Sequence, residues 1–217
     1  MYKINDVTYE QIFEYIDEFN KKENKIIDEL RVFAEQNNIP IIKKDVENFL
    51  KTFLNITKPK KILELGCAIG YSSIFMSSVL NDDVHIDTLE INENMYNTAS
   101  ENIKKFSLTN INVILGNASD IIPSLDQKYD FVFIDASKSH YDEFFSLILN
   151  KLEKNAIVIC DNTLFKGYLC MDRSGIPKRQ KTIYDKMTRF LENIKKNKDI
   201  SYNMLPLGDG LLVIYFK

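Results

Sequence analysis

The chain has 217 residues, with 28 Lys and Arg against 31 Asp and Glu and a formal charge of −3. That length suits one α/β domain with a large core, and the slight negative charge excludes the global basic field typical of strong nucleic-acid binders. With no Pro/Ser-rich linker, no internal repeat, no apolar run of signal-peptide or membrane-spanning length, and three cysteines (Cys67, Cys160, Cys170) without metal spacing, the expectation is a cytoplasmic protein with reduced thiols.

In chain order, apolar periodicity predicts helices over 8–19, 22–37 and 43–55, with Pro40 punctuating the last gap. Strands are then predicted near 61–65, 84–90, 111–115, 129–134, 156–160, 200–205 and 211–216, with helices near 71–80, 92–106, 141–152 and 178–197 between them. Gly208-Asp209-Gly210 is a turn that folds the last two strands into a hairpin. This order predicts a seven-stranded, mostly parallel sheet with helices on both faces and an antiparallel C-terminal hairpin. One domain is expected over 1–217, made of an N-terminal helical extension (1–57) and a sheet core (58–217).

The run ILELGCAIGYSS, 62–73, joins a buried strand to a helix through a glycine loop. Gly66 and Gly70 allow a sharp turn and the close approach of a ligand. Two glycines are too few for the G-x-G-x-x-G dinucleotide fingerprint. Glu64 suits a cationic ligand better than a pyrophosphate, which favours S-adenosylmethionine, with its ammonium and sulfonium. Glu90 ends the strand VHIDTLE twenty residues after Gly70, where nucleotide-binding α/β folds hold a ribose diol. A plain packing turn at the loop is the competing interpretation.

Two further strands run into oxygen donors: FVFIDASKSHY into Asp135, and AIVICDN into Asp161 and Asn162. In a parallel sheet these ends open on the same edge as the glycine loop. Two carboxylates and an amide form a hard oxygen set suited to Mg²⁺ or Mn²⁺. His85 and His140 lack ligand spacing. Singly, Asp135 and Asp161 would be ordinary loop-opening residues; their joint placement points to a metal.

The ordered series ELGCAIGYSS, LEIN, FVFIDASKSHY, CDNTLFKG and PLGDGLLV resembles the cation-dependent class I O-methyltransferases of catechol and caffeoyl-CoA type, over about residues 38–217. The resemblance implies a Rossmann-like class I methyltransferase fold. It places Glu64, Gly66, Gly70, Tyr71 and Ser72 around the methionine part of the cofactor, Glu90 on the ribose and Asn117-Ala118 at the adenine. It places Asp135, Asp161 and Asn162 on the metal, with Asp135 also at the cofactor and in catalysis. Lys138 stands where the catechol enzymes carry their general base. A homodimer is implied by the same analogy. Asn117 departs from the acidic residue frequent in relatives, although an amide can still accept from an exocyclic amine.

Within that family, IPII (39–42), AIGYS, DNTLFKG and PLGDG resemble the bacterial tRNA 5-hydroxyuridine methyltransferases most. The implied substrate is the acidic hydroxyl of a wobble uridine. Lys178, Arg179 and Lys181, after the loop GYLCMDRSGIP (167–177), would then meet tRNA phosphates. A small catechol-like acceptor is the alternative, and a non-catalytic binding module the third reading.

Overall fold

A computed structural model describes residues 8–20 and 24–217; residues 1–7 and 21–23, including the predicted helix start at 22, lie outside the described residues. Seven strands form one sheet: β1 (Lys61–Leu65), β2 (His85–Glu90), β3 (Ile111–Leu115), β4 (Tyr129–Ile134), β5 (Leu152–Cys160), β6 (Ile200–Leu205) and β7 (Leu211–Phe216). Their order is β3-β2-β1-β4-β5-β7-β6, with the first five parallel and both β7 and β6 antiparallel to their neighbours. The predicted fold class is therefore correct. Central β1 and β4 are covered on both faces, which is why they read as near-continuous apolar runs.

Strand alternation divides the core. Leu63, Leu65, Val132, Ile134 and Val158 pack on α6 (Ala118–Ser124), α7 (Tyr141–Ile148) and α8 (Lys181–Lys196), through Ile122, Phe144, Phe145, Met187 and Phe190. Ile62, Phe131, Phe133 and Ile159 face the other way. They pack with α2 (Lys25–Gln36), α3 (Lys44–Thr57), α4 (Tyr71–Val79) and α5 (Glu93–Lys105), through Leu30, Val46, Leu50, Ile74 and Ile103. Phe131 and Phe133 are wholly buried, each contributing about 1.5–3 kcal/mol. The N-terminal helices α2 and α3 thus belong to the core of one sheet face, while α1 (Tyr9–Asn20) leaves Phe13, Tyr15 and Phe19 exposed.

Four elements differ from expectation. Helix α6 was not predicted: it has only seven residues and contains Pro123, which reads as a breaker, but the Asn117 side chain caps its start and proline falls in its last turn. Helix α8 begins at Lys181, because Pro177 leads first into a 3₁₀ turn over Lys178–Gln180. Helix α7 ends at Ile148, and β5 starts at Leu152, before the predicted 156; its exposed early residues escaped an apolar-pattern search. Cys67 and Cys160 are buried free thiols and Cys170 an exposed one.

Candidate functional site

The parallel ladder continues one residue past each central strand. Gly66 N–H donates to Leu89 O, Asp135 N–H to Leu65 O, Asp161 N–H to Ile134 O, and Gly116 N–H to Glu90 O, at 2.8–3.0 Å. These bonds align the glycine loop, Asp135, Asp161 and Asn117's neighbour Gly116 along a single sheet edge, as the strand-end argument requires. A Cβ at Gly66 would lie 2.3 Å from the Asp135 carbonyl oxygen. On its Cβ side Gly66 therefore packs against the backbone that follows β4, so no side chain fits there.

Two cavities, of about 410 and 450 Å³, open along this edge and share Gly66, Glu90 and Asp135 as lining. The first adds Ser72, Tyr71, Lys138, Asp161 and Asn162, together with Cys67, Ala68, Gly208 and a wall from Pro40 to Lys43. The second adds Ile91, Asn117, Ala118, Ser137, His140 and Phe144. Together they form one crevice whose first half carries most of the charged side chains, Lys43, Lys138 and Asp161 beside the shared Glu90 and Asp135. Pro40–Lys43, Cys67, Ala68 and Gly208 were given no site role from sequence; the IPII and PLGDG segments were the available signal.

Glu90 is held from both sides. Its Oε2 accepts from Ala68 N–H and its Oε1 from Asn92 N–H, each at 2.8 Å. Each oxygen keeps a lone pair, so the carboxylate is pre-aimed for a diol. Glu64 lies beneath the crevice rather than on its lining. It is wholly buried, accepts from Thr88 Oγ1, and leaves Oε1 without a donor. Burial pushes its carboxyl up to about 7. A buried carboxylate with an orphaned oxygen fits a nearby cation, which would offset the cost of ionising it. Gly70 is the N-cap of α4 and provides no side-chain cap, leaving first-turn N–H groups suited to a carboxylate. Asn117 Oδ1 accepts from Ser119 N–H at 3.1 Å, capping α6, and keeps a second lone pair.

At the metal-type end, Asn162 Nδ2 donates to Asp135 Oδ1 at 2.9 Å and Asn162 N–H to Asp161 Oδ1 at 2.6 Å. Asn162 has φ 56°, a left-handed conformation that asparagine tolerates better than most residues. Burial, with Asp135 beside it, pushes the Asp161 carboxyl up to about 7. Burial also raises Asp135, against the opposing pull of Lys138 and Asn162. Two carboxylates that resist ionisation, with an amide oxygen beside them, fit a hard divalent cation. Among the described residues no group of three or more His, Cys, Asp or Glu side chains could hold a metal, so a metal here would use two carboxylates, an amide oxygen and further oxygens.

The DNTLFKG and PLGDG segments meet in space. Asp209 accepts from Lys166 and Gly167 N–H groups, Thr163 N–H donates to Gly210 O, and Leu164 N–H donates to Asp209 O. A Cβ on Gly210 would stand 2.4 Å from Leu164 Cγ. Lys138 sits half-buried on a 3₁₀ turn and lines the crevice. Lys178 and Arg179 are exposed and Lys181 half-buried. None of the three lines either cavity, although α8, which they precede or open, packs on the Lys138 turn.

The chain matches the model of a family described as O-methyltransferase over residues 17–216. It is 27% identical to a caffeoyl-CoA O-methyltransferase of Stellaria longipes, covering 93% of this chain and 88% of that one. It is 32% identical to a catechol O-methyltransferase of Niastella koreensis over 59% of this chain and 61% of that one. A Staphylococcus aureus structure provisionally assigned as a caffeoyl-CoA O-methyltransferase superposes with a TM-score of 0.87 and 30% identity, covering 94% of this chain and 98% of its own. A Podospora anserina methyltransferase bound to S-adenosylhomocysteine shares the fold, with a TM-score of 0.88 at 22% identity over all of this chain and 98% of that one. Sheet order, strand-end residues and these matches agree: the chain belongs to the O-methyltransferase family.

Proposed function

We propose that this protein transfers a methyl group from S-adenosylmethionine to an acidic hydroxyl flanked by a second oxygen, and that its acceptor is 5-hydroxyuridine at the tRNA wobble position, giving 5-methoxyuridine. The observation that carries the reaction class is the adjacency of the Asp135, Asp161 and Asn162 oxygens to the Glu90-lined cavity. When bound, a divalent ion such as Mg²⁺ or Mn²⁺ would lower the pKa of the acceptor hydroxyl, and the sulfonium would supply an electrophilic methyl. Glu90 would hold the ribose diol, the start of α4 with Ser72 the carboxylate, and Glu64 the positive charge from below. Lys138 Nζ would take the hydroxyl proton or neutralise the oxyanion. The new O–CH₃ bond forms as the S–CH₃ bond breaks, its electron pair passing to sulfur.

The resemblance of the IPII, DNTLFKG and PLGDG segments to tRNA 5-hydroxyuridine methyltransferases supports the tRNA acceptor, and the exposed Lys178 and Arg179, just before α8, permit it. A catechol-like small molecule is the second reading, supported by the names of the Stellaria and Niastella relatives. Mass spectrometry of tRNA nucleosides from a deletion strain decides between them. Accumulated hydroxyuridine with lost methoxyuridine supports the tRNA reading, and an unchanged profile rejects it. We also propose a homodimer, for which the exposed Tyr15 and Phe19, stacked on one face of α1, offer an apolar surface; sedimentation of a single monomeric species would reject it. Among the described residues no helix is long and apolar enough to cross a membrane, and the proposed compartment is the cytoplasm.

A further inference from the structure

Behind the crevice, three side chains from three helices meet at one point. A single guanidinium nitrogen of Arg31 reaches the Tyr71 hydroxyl at 2.7 Å, Glu47 Oε2 at 2.5 Å and the Ile42 carbonyl at 3.3 Å. Tyr71 donates its hydroxyl proton to the same Glu47 oxygen at 2.5 Å. The guanidinium also lies over the Tyr71 ring, 5.0 Å from its centroid. Tyr71 is the first residue of α4, and Ile42 belongs to the wall that faces it across the charged half of the crevice. Arg31 and Glu47 themselves do not line that half.

Most of the remaining packing of α2 and α3 around α4 is apolar, within a cluster of Leu30, Val46, Leu50, Ile69 and Ile74, with one long hydrogen bond from Asn24 Nδ2 to Ser78 Oγ at 3.5 Å. Apolar packing has no preferred direction and permits small slides. Charge-assisted hydrogen bonds in a largely buried setting do not. At the other end of the wall, Gly208 N–H donates to Asp45 Oδ2 at 2.7 Å. The wall is therefore tied at both ends, to the start of α4 and to the C-terminal turn.

We infer that Arg31 and Glu47 are positioning residues for cofactor binding. Acting through Tyr71 and the Ile42 carbonyl, they set the distance between the Pro40–Lys43 wall and the N-terminus of α4. That distance fixes the width of the half that receives the methionine end. The inference rests on the cofactor assignment under Proposed function.

Calorimetric titration of S-adenosylhomocysteine into the wild type, Arg31→Met, Tyr71→Phe and the double variant tests it. Absence of binding to the wild type would remove the cofactor assignment, and this inference with it; measurable binding leaves the variants to test the junction alone. Arg31→Met should raise Kd about tenfold and Tyr71→Phe about three- to fivefold, as expected when hydrogen bonds to charged groups are removed. With saturating cofactor, Arg31→Met should keep kcat within about twofold. The double variant should bind no more weakly than Arg31→Met, because both changes dismantle the same junction. Unchanged Kd in folded variants, or losses that simply add, would overturn the inference, as would a fall in kcat at unchanged Kd. If Arg31→Met fails to fold, Tyr71→Phe, which retains the buried ring, decides by its own Kd.

Discussion

On the Glu90 side of the crevice, orientation comes from the main chain. The amides of Ala68 and Asn92 grip both carboxylate oxygens, and the Asp135 carbonyl lies against Gly66. On the Asp161 side, orientation comes from a loop held across the fold by Asp209 and, farther out, by an exposed Arg173–Asp185 pair at 2.7 Å. An exposed ion pair adds little to stability. Main-chain bonds place Asp161 as well, through its N–H to Ile134 O, but the contacts of Asp209 and Arg173 add side-chain ties that can be retuned one residue at a time. Changes on the first side should therefore weaken cofactor binding, and changes on the second should alter catalysis or the acceptor.

The largest effect expected from this contrast is at Asp161. Asp161→Ala should reduce turnover by about 10³-fold, in the range of losing a preorganised electrostatic group, while calorimetric cofactor affinity stays within a few-fold. A chelator should abolish activity and Mg²⁺ or Mn²⁺ restore it. Full activity after exhaustive chelation would break the assignment of all three oxygen ligands.

Glu64 should give the next largest effect, and it is pH-dependent. Its carboxyl is raised from its ordinary value near 4.5 to about 7. The folded state thus favours the protonated form, and this contribution to stability is complete below about 4.5 and lost as pH rises through about 7. A shift of that size corresponds to about 3 kcal/mol. Denaturant melts of the ligand-free protein should show Glu64→Gln matching the wild type near pH 4 and exceeding its stability near pH 8. Cofactor affinity should fall below about pH 7 in the wild type but stay flat in the variant. A pH-independent stability difference between the two would contradict the burial argument.

Glu90→Ala follows. It should weaken cofactor binding by about 1.5–3 kcal/mol, with further loosening of the Ala68 turn, whose amide is left without its acceptor. Wild-type affinity in a folded variant would remove Glu90 from the site.

The smallest effect is expected on the acceptor side. Replacing Lys178, Arg179 and Lys181 with Ala should raise KM for tRNA and flatten its salt dependence by roughly one logarithmic unit for each phosphate no longer neutralised. Methylation of free 5-hydroxyuridine should change little. Equal loss of both activities would instead assign this stretch to folding or to the shape of the loop.

Strand-end residues were legible in the sequence because a buried parallel strand is an apolar run with an abrupt polar end: Leu65 into Gly66, Ile134 into Asp135, Cys160 into Asp161. Their alignment on one edge then follows from parallel topology alone. The Arg31–Glu47–Tyr71 junction was not legible, since its members are separated by 16 and 24 positions and each is an ordinary residue for its helix. Helix α6 was hidden by Pro123, which is costly inside a helix but tolerable in so short a one. The position of Glu64 beneath the crevice, rather than at its surface, depends on which face of β1 each residue takes, and a fully buried strand gives no alternation from which to read that.

The partnership between the loop after Asp161 and the Asp209-Gly210 turn has a consequence for biosynthesis. Thr163 and Gly210 are 47 positions apart in the chain, so the loop emerges from the ribosome well before the turn that shapes it. The Glu90 half is lined by residues no later than Phe144, so all of its groups emerge before that turn. The Asp161 half must wait for the turn. A nascent chain released before Asp209 would carry Glu90, Asp135 and Asp161, yet lack the hydrogen bonds that set Lys166 and Gly167.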